Sequence, residues 1–268
     1  MSEIDVVIAV ILGVFQGGME WLPISSSGQT ILTMIDILNI DADTAISFAF
    51  YLHFGTLIAV ILKMKKDVKH IILRLPKYKE DKMVKFIILS TIATALVGIP
   101  VYMLLRDFFD RGYGGEAITA FIGLFLIITG IILHISKKKM GLKRLNDSNA
   151  MDSIFAGIGQ GFAVIPGLSR SGITVAALIS KNFRQEEALH LSFLMSIPAT
   201  IGIIILEAIR GTMASIGIIP IVVGIVTAFI VGYIMIDVLL RFAKKVKFDV
   251  FCIVFGVLAI VIVAIIFL

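Results

Sequence analysis

The stretch Gly13-Val14-Phe15-Gln16-Gly17-Gly18-Met19-Glu20-Trp21-Leu22-Pro23-Ile24-Ser25-Ser26-Ser27-Gly28-Gln29-Thr30 returns in altered form about 144 positions later in the chain. Gly13, Gln16, Gly17, Ser25, Ser27, Gly28 and Thr30 fall on Gly157, Gln160, Gly161, Ser169, Ser171, Gly172 and Thr174. Identities confined to small and polar residues mark a duplicated structural unit, since shared apolar composition alone would not produce them. In each copy a polar, glycine-containing turn separates two short apolar runs, at about 4–15 and 28–38 in the first and 150–163 and 172–181 in the second. Runs of roughly 10–14 residues suit half-membrane segments better than full spans. Each copy therefore predicts a re-entrant helical hairpin.

Working outward, 59% of the residues are hydrophobic and the mean hydropathy is +1.04, which excludes a soluble domain and makes lipid the main solvent. Six longer apolar runs, at 47–63, 84–105, 117–136, 190–208, 215–240 and 249–268, approach the roughly 20 residues of a spanning helix. Basic residues cluster at Lys63 to Lys85, Lys137 to Arg144 and Arg241 to Lys247, which the positive-inside rule puts in the cytoplasm. In that orientation the first hairpin dips in from the outer face and the second from the inner face. One hairpin and three spans per half invert the second half relative to the first. The predicted fold is an all-α polytopic membrane protein with six spanning helices and two re-entrant hairpins. It forms a single domain, 1–268, made of inverted repeats at about 1–143 and 144–268.

The net charge of +5 sits in short loops, where it controls topology and meets anionic headgroups, so nucleic acid is excluded as a partner. The single cysteine, Cys252, offers no disulfide framework. The first apolar run lacks a basic flank and leads into Glu20 and Pro23, so it is expected to belong to the mature fold rather than to a cleaved signal.

Helix continuing to about residue 21 would project Gln16 and Glu20 from one face. The Pro23 to Gly28 turn then breaks the backbone, which at membrane depth is tolerated only where it is buried in protein or lines a wet cavity. In the second motif, Pro166-Gly167-Leu168-Ser169-Arg170-Ser171-Gly172-Ile173-Thr174, Arg170 is a cation in an otherwise uncharged stretch and needs a partner. Guanidinium geometry, flanking hydroxyls and glycine amides at a helix start suit a phosphate. The plainer alternative is a structural ion pair between Glu20 and Arg170 joining the repeats. For Gly13, Gly17, Gly157 and Gly161 the preferred role is close helix packing, and for Trp21 it is anchoring at the membrane interface. His53 lies within a predicted span, as a functional candidate or a hydrogen-bonded structural residue. His70, His134 and His190 read as interfacial, Glu207 and Asp237 as structural, and segment 63–85 as a headgroup-facing loop.

The two motifs resemble the undecaprenyl-diphosphate phosphatase family, the bacitracin-resistance type of membrane phosphatase, over essentially the whole chain. The resemblance implies removal of the terminal phosphate from a polyprenyl diphosphate at the outer face of the cell membrane, with a divalent cation, Mg²⁺ or Ca²⁺. That reaction would recycle the carrier lipid for cell-envelope glycan synthesis. By the same resemblance Glu20 is the acidic group that binds metal or assists proton transfer, and Ser26 is the essential serine. Arg170, with Ser169, Ser171 and Thr174, is the diphosphate clamp. Gln16, Ser25, Ser27 and Gln29 complete the expected substrate contacts. The family usually has a histidine after the serine-glycine turn, where this chain has Gln29, and often a glutamine where this chain has His53. His53 is therefore a candidate to supply the imidazole from the neighbouring helix, and the other route is activation by Glu20 and a metal alone. The expected partners are the lipid diphosphate and the membrane, with assembly into a homo-oligomer left open. A transporter or flippase of a phosphorylated lipid is the competing function, because inverted repeats with broken helices are also the plan of transporters. It would need Arg170, dispense with Ser26 and release no phosphate.

Overall fold

The computed structural model describes residues 4–22, 25–109, 121–122, 124–125, 127–128, 131–132, 141–210 and 216–245. Among these the chain is helical and carries no β-strand. The first hairpin comprises α1 (Val6–Met19) and α2 (Ser26–Leu32), and α2 runs on as a π-helix through Thr33–Ile37. The helix of the first arm runs past the apolar run 4–15, as expected, and ends at Met19, two residues short of the expected end near 21. Asp5 starts α1 by accepting the Ile8 amide at 2.8 Å, an N-cap interaction.

Three helices follow: α3 (Ala42–Lys63), α4 (Lys65–Arg74) and α5 (Lys82–Phe109). The second hairpin is α6 (Ala150–Phe162) and α7 (Arg170–Ser180), followed by α8 (Gln185–Arg210) and α9 (Ile218–Lys245). A capping box between Asn149 and Asp152 opens α6. The helices α3, α5, α8 and α9 are each long and apolar enough to cross a membrane, and they match four of the six expected spans. The expected span 249–268 lies outside the described residues, as do most of 117–136, together with Pro23, His134 and Cys252.

Segment 63–85, read from sequence as a loop, contains α4. That helix exposes Ile72 and Leu73 and is tied down by two imidazole–carboxylate contacts, His70 to Asp81 at 2.7 Å and His190 to Asp67 at 3.2 Å. Lys63 pairs with Asp237, joining the end of α3 to α9.

The repeated glycines do the same work in both hairpins against different partners. A Cβ on Gly13 or Gly17 would lie 2.7 Å from the carbonyl oxygens of Gly224 and Ala228 on α9. On Gly157 it would lie 2.3 Å from the Ser90 carbonyl oxygen, and on Gly161 it would lie 3.0 Å from that of Thr94, both on α5. So α1 packs backbone to backbone on α9, and α6 on α5. In lipid, where burying a leucine against a leucine gains little over burying it in acyl chains, such close approach is what holds helices together.

Candidate active site

The site forms where the two hairpin turns meet. At the end of α1, one helical turn carries Gln16 onto Glu20, and Gln16 Nε2 donates to Glu20 Oε2 at 2.8 Å. The chain then turns, and Ser25 adopts the left-handed conformation, φ 55° and ψ 81°. A non-glycine residue there carries strain of order 1–3 kcal/mol, which persists only where the surroundings impose it. The result is that α2 begins with Ser26 facing back toward α1, and Ser26 Oγ donates to Glu20 Oε2 at 2.6 Å.

The second turn approaches from the other half. Gly167, at φ 95°, packs so tightly on Gly28 that a Cβ on Gly28 would lie 2.9 Å from the Gly167 nitrogen. Ser169 caps α7 by accepting the Gly172 amide at 3.1 Å, and Ser171 Oγ donates to the Leu22 carbonyl at 2.7 Å. Arg170, first residue of α7, is thereby delivered to the first turn, where Nη2 donates to Glu20 Oε1 at 2.5 Å. Its other terminal nitrogen, Nη1, is buried without a partner in the protein, as is Ser25 Oγ.

His53 comes from α3. Its Nε2 stands 3.5 Å from Glu20 Oε2, and its Nδ1 lies 2.7 Å from the Ala49 carbonyl oxygen. A carbonyl only accepts, so Nδ1 carries the hydrogen and Nε2 is the nitrogen offered to Glu20.

Glu20, Ser25, Ser26, Ser27, His53, Ser169 and Arg170 line the polar end of a cavity of about 370 Å³. The opposite walls are apolar, with Ile99 and Tyr102 from α5 and Ile203 and Leu206 from α8. Ile99 and Ile205 line it while remaining 38% and 51% exposed.

Four of the expected substrate contacts do not line the cavity. Gln16 is fully buried and holds Glu20. Ser171 bonds to Leu22, and Thr174 Oγ1 donates to the Arg170 carbonyl at 2.7 Å and meets Ser192 Oγ at 2.5 Å. Gln29 is buried behind the turn, 4% exposed. Trp21 is not at an interface: it is 1% exposed, packs edge-on to Phe193 at 5.2 Å, and has the Arg170 guanidinium 5.7 Å above its ring. Two features had no role assigned from sequence, the apolar walls and Gln160, the repeat counterpart of Gln16, which also lines the cavity.

Among the described residues no group of three or more His, Cys, Asp or Glu side chains is placed to hold a metal ion, and Glu20 is the one carboxylate among the cavity-lining residues. Chemically, the arrangement joins a hydroxyl to a carboxylate that can take its proton, an imidazole beside that carboxylate, and a guanidinium with donor capacity to spare. It has the form of a nucleophile, a base and an orienting group.

Residues 9–261 match the family model described as Bacitracin resistance protein BacA. A protein named undecaprenyl-diphosphatase from Methanothrix thermoacetophila is 37% identical over 260 residues, covering 97% of this chain and 98% of the relative. The protein of the same name from Methanococcoides burtonii is 41% identical over 261 residues, 94% and 96% of the two chains. That from Methanopyrus kandleri is 40% identical over 268 residues, 98% and 97%. Matched by the family model through both hairpins and by full-length relatives at this level of identity, this chain belongs to the bacitracin resistance protein BacA family.

Proposed function

We infer that the protein is an integral membrane phosphatase that removes the terminal phosphate of a polyprenyl, undecaprenyl-like diphosphate and so recycles the lipid carrier for cell-envelope glycan synthesis. The observation that carries this reading is the pairing of Ser26 with Glu20 directly beside Arg170, at the polar end of a cavity whose other walls are apolar. The two ends match the two ends of the substrate. Arg170 Nη1 and the hydroxyls of Ser25, Ser27 and Ser169 receive phosphate oxygens, and the α5 and α8 walls receive the proximal isoprene units. A cavity of this volume holds a diphosphate and the first part of a chain, and the remainder would leave past the partly exposed Ile99 and Ile205 into the bilayer.

In the reaction, Ser26 Oγ attacks the terminal phosphorus and its proton passes to Glu20. The anhydride P–O bond breaks, and the polyprenyl monophosphate leaves with the bond's electron pair. Water then attacks the Ser26 phosphoester and releases inorganic phosphate. His53 Nε2, facing Glu20, holds and returns the proton, which Gln29 at the family's usual histidine position cannot do. Arg170 stabilises the charge that develops on the transferring phosphoryl oxygens. Gln16, Ser171 and Thr174 act as positioning residues.

A divalent cation would take most of its oxygens from the substrate phosphates, as Mg²⁺ commonly does, because Arg170 occupies one Glu20 oxygen and Gln16 and Ser26 the other. Bound there, it would neutralise phosphate charge. The matched packing of α1 on α9 and α6 on α5 supports the repeat reading, and the basic loops support an orientation in which the site opens to the outer face of the cell membrane.

Purified protein should release inorganic phosphate from polyprenyl diphosphates in Mg²⁺ or Ca²⁺ and less in chelator. Ser26→Ala and Arg170→Ala should each lower kcat by about 10²–10⁴-fold. Tight, Arg170-dependent lipid binding without any phosphate release would move the assignment to lipid-phosphate transport.

A further inference from the structure

Glu20 and Trp21 are neighbours in the chain, and the turn that ends α1 presents both to Arg170. The carboxylate takes the Nη2 hydrogen at 2.5 Å, and the guanidinium carbon stands over the indole, 5.7 Å from the ring centre. That separation is inside the roughly 6 Å within which a ring face attracts a cation. Both partners are withdrawn from water, with the Arg170 side chain 15% exposed and Trp21 1% exposed. The ring is itself held in place, packed T-wise against Phe193 of α8 at 5.2 Å and beside Gly232 of α9, where a Cβ would stand 3.5 Å from Nε1.

Filling that space does not call for a tryptophan. Among the described residues Trp21 Nε1 finds no hydrogen-bond partner, although a buried indole N–H usually has one, and phenylalanine would avoid the cost of burying it. What indole offers over a phenyl ring is a stronger negative face, the best of the aromatic side chains for a cation. The chemistry of the site gives that face a task. Before attack, Glu20 holds Arg170 by charge. As Ser26 Oγ bonds to phosphorus and the anhydride bond breaks toward the leaving polyprenyl phosphate, the Ser26 proton passes to Glu20. The ion pair then weakens in the very step that needs the guanidinium fixed, whereas the attraction of the ring is unchanged, because the ring neither gains nor loses a proton.

We propose that Trp21 is a positioning residue for phosphoryl transfer: its indole face holds the Arg170 guanidinium through the step in which Glu20 is protonated. The proposal rests on the phosphatase reading and adds to it a partner for Arg170 that does not titrate. Trp21 acts through Arg170 and needs no contact with the substrate. Since Glu20 already holds Arg170 before attack, loss of the ring's attraction is felt in kcat and leaves KM nearly unchanged.

Trp21 is the only tryptophan in the chain, so protein made with fluorinated tryptophans is altered at this ring alone. Mono-, di- and trifluorinated indoles keep the shape of the ring while draining its negative face stepwise. On a polyprenyl diphosphate, log kcat should fall with each added fluorine, to about threefold to tenfold below wild type in the trifluoro protein, with KM nearly constant. Trp21→Phe, which keeps a weaker face, should retain more kcat per folded molecule than Trp21→Leu, which keeps none. A ring that only fills the core would tolerate fluorine, so kcat flat across the series overturns the proposal, as does a loss confined to KM. If unmodified protein releases no phosphate, it is the phosphatase reading that fails. The hold on Arg170 is then judged by melting temperature. A fall with each fluorine in wild type but not in Arg170→Met upholds it, and equal slopes in both remove it.

Discussion

Two glycines of the first motif should respond in opposite ways to the same methyl group. In Gly28→Ala the new Cβ would stand 2.9 Å from the Gly167 nitrogen, 3.0 Å from its Cα and 3.1 Å from Ile122 Cγ2. Carbon contacts are comfortable at about 3.5–4.0 Å, so the second turn must retreat by roughly 0.5–1 Å. Two of those neighbours are backbone atoms of a residue already at positive φ, three positions before Arg170, and the displacement passes directly to the guanidinium. Misplacing a catalytic group by about 1 Å costs up to roughly 10²-fold in rate, so kcat should fall about 10- to 100-fold, with overpacking destabilising the fold by about 1–3 kcal/mol. In Gly18→Ala the Cβ meets nothing within 4 Å, and inside α1 the exchange should stabilise by about 0.5–1 kcal/mol with activity unchanged. Phosphate release per folded molecule, with melting temperature measured in parallel, compares the two. Wild-type turnover in Gly28→Ala would mean that contact between the turns does not set the catalytic geometry.

His53→Gln keeps a polar side chain beside Glu20 but cannot hold a proton. It should reduce kcat by about 10²–10⁴-fold with KM little changed, and an unaltered kcat would leave His53 a structural role only. Gly202 lines the cavity with open space at its Cβ, so Gly202→Phe should occupy room needed by the lipid. Steady-state assays should show loss with long polyprenyl diphosphates and retention with a single-isoprene diphosphate, and equal loss with both would refute the assignment of the apolar walls to the chain. At the start of α5, burial pushes the Asp81 carboxyl up, but the Val84 amide, His70 and the Met83 amide outweigh it and hold the carboxyl below its ordinary value. A folded value below the unfolded one gives stability that is complete above about pH 4 and lost as pH falls through the folded value. The melting-temperature difference between wild type and Asp81→Ala should therefore persist from neutral pH and close only under acid, and a difference constant into strong acid would contradict this.

The fold was legible where its physics is local. Small residues at Gly13, Gly17, Gly157 and Gly161 have few uses in an apolar helix besides letting another backbone approach, and they serve that use here. The pairing of Glu20 with Arg170 was also legible, because a lone cation in lipid demands a partner. Side-chain direction was not. Serines and threonines inside one motif divide between the cavity and the braces behind it, and only packing decides that Ser25 faces the cavity while Thr174 turns to Ser192. Trp21 misled for a related reason, since an indole flanked by polar residues looks the same in sequence whether it meets headgroups or the underside of a guanidinium. Gln160 gave a signal, its alignment with Gln16, but the acceptors that hold its amide come from α5 and α8, far away along the chain.

The pairing of α1 with α9 has a consequence for biosynthesis. The glycine face of α1 is complete early in synthesis, yet the surface it fits, around Gly224, Ala228 and Gly232, is not. At ribosomal speeds of about 5–20 residues per second the interval is on the order of 10–40 s. Throughout it, α1 carries a glycine face whose partner surface has not yet been made, and α9 of a neighbouring finished chain offers the same surface. A ribosome that stalls before α9 therefore leaves a fragment whose α1 glycine face is still uncovered.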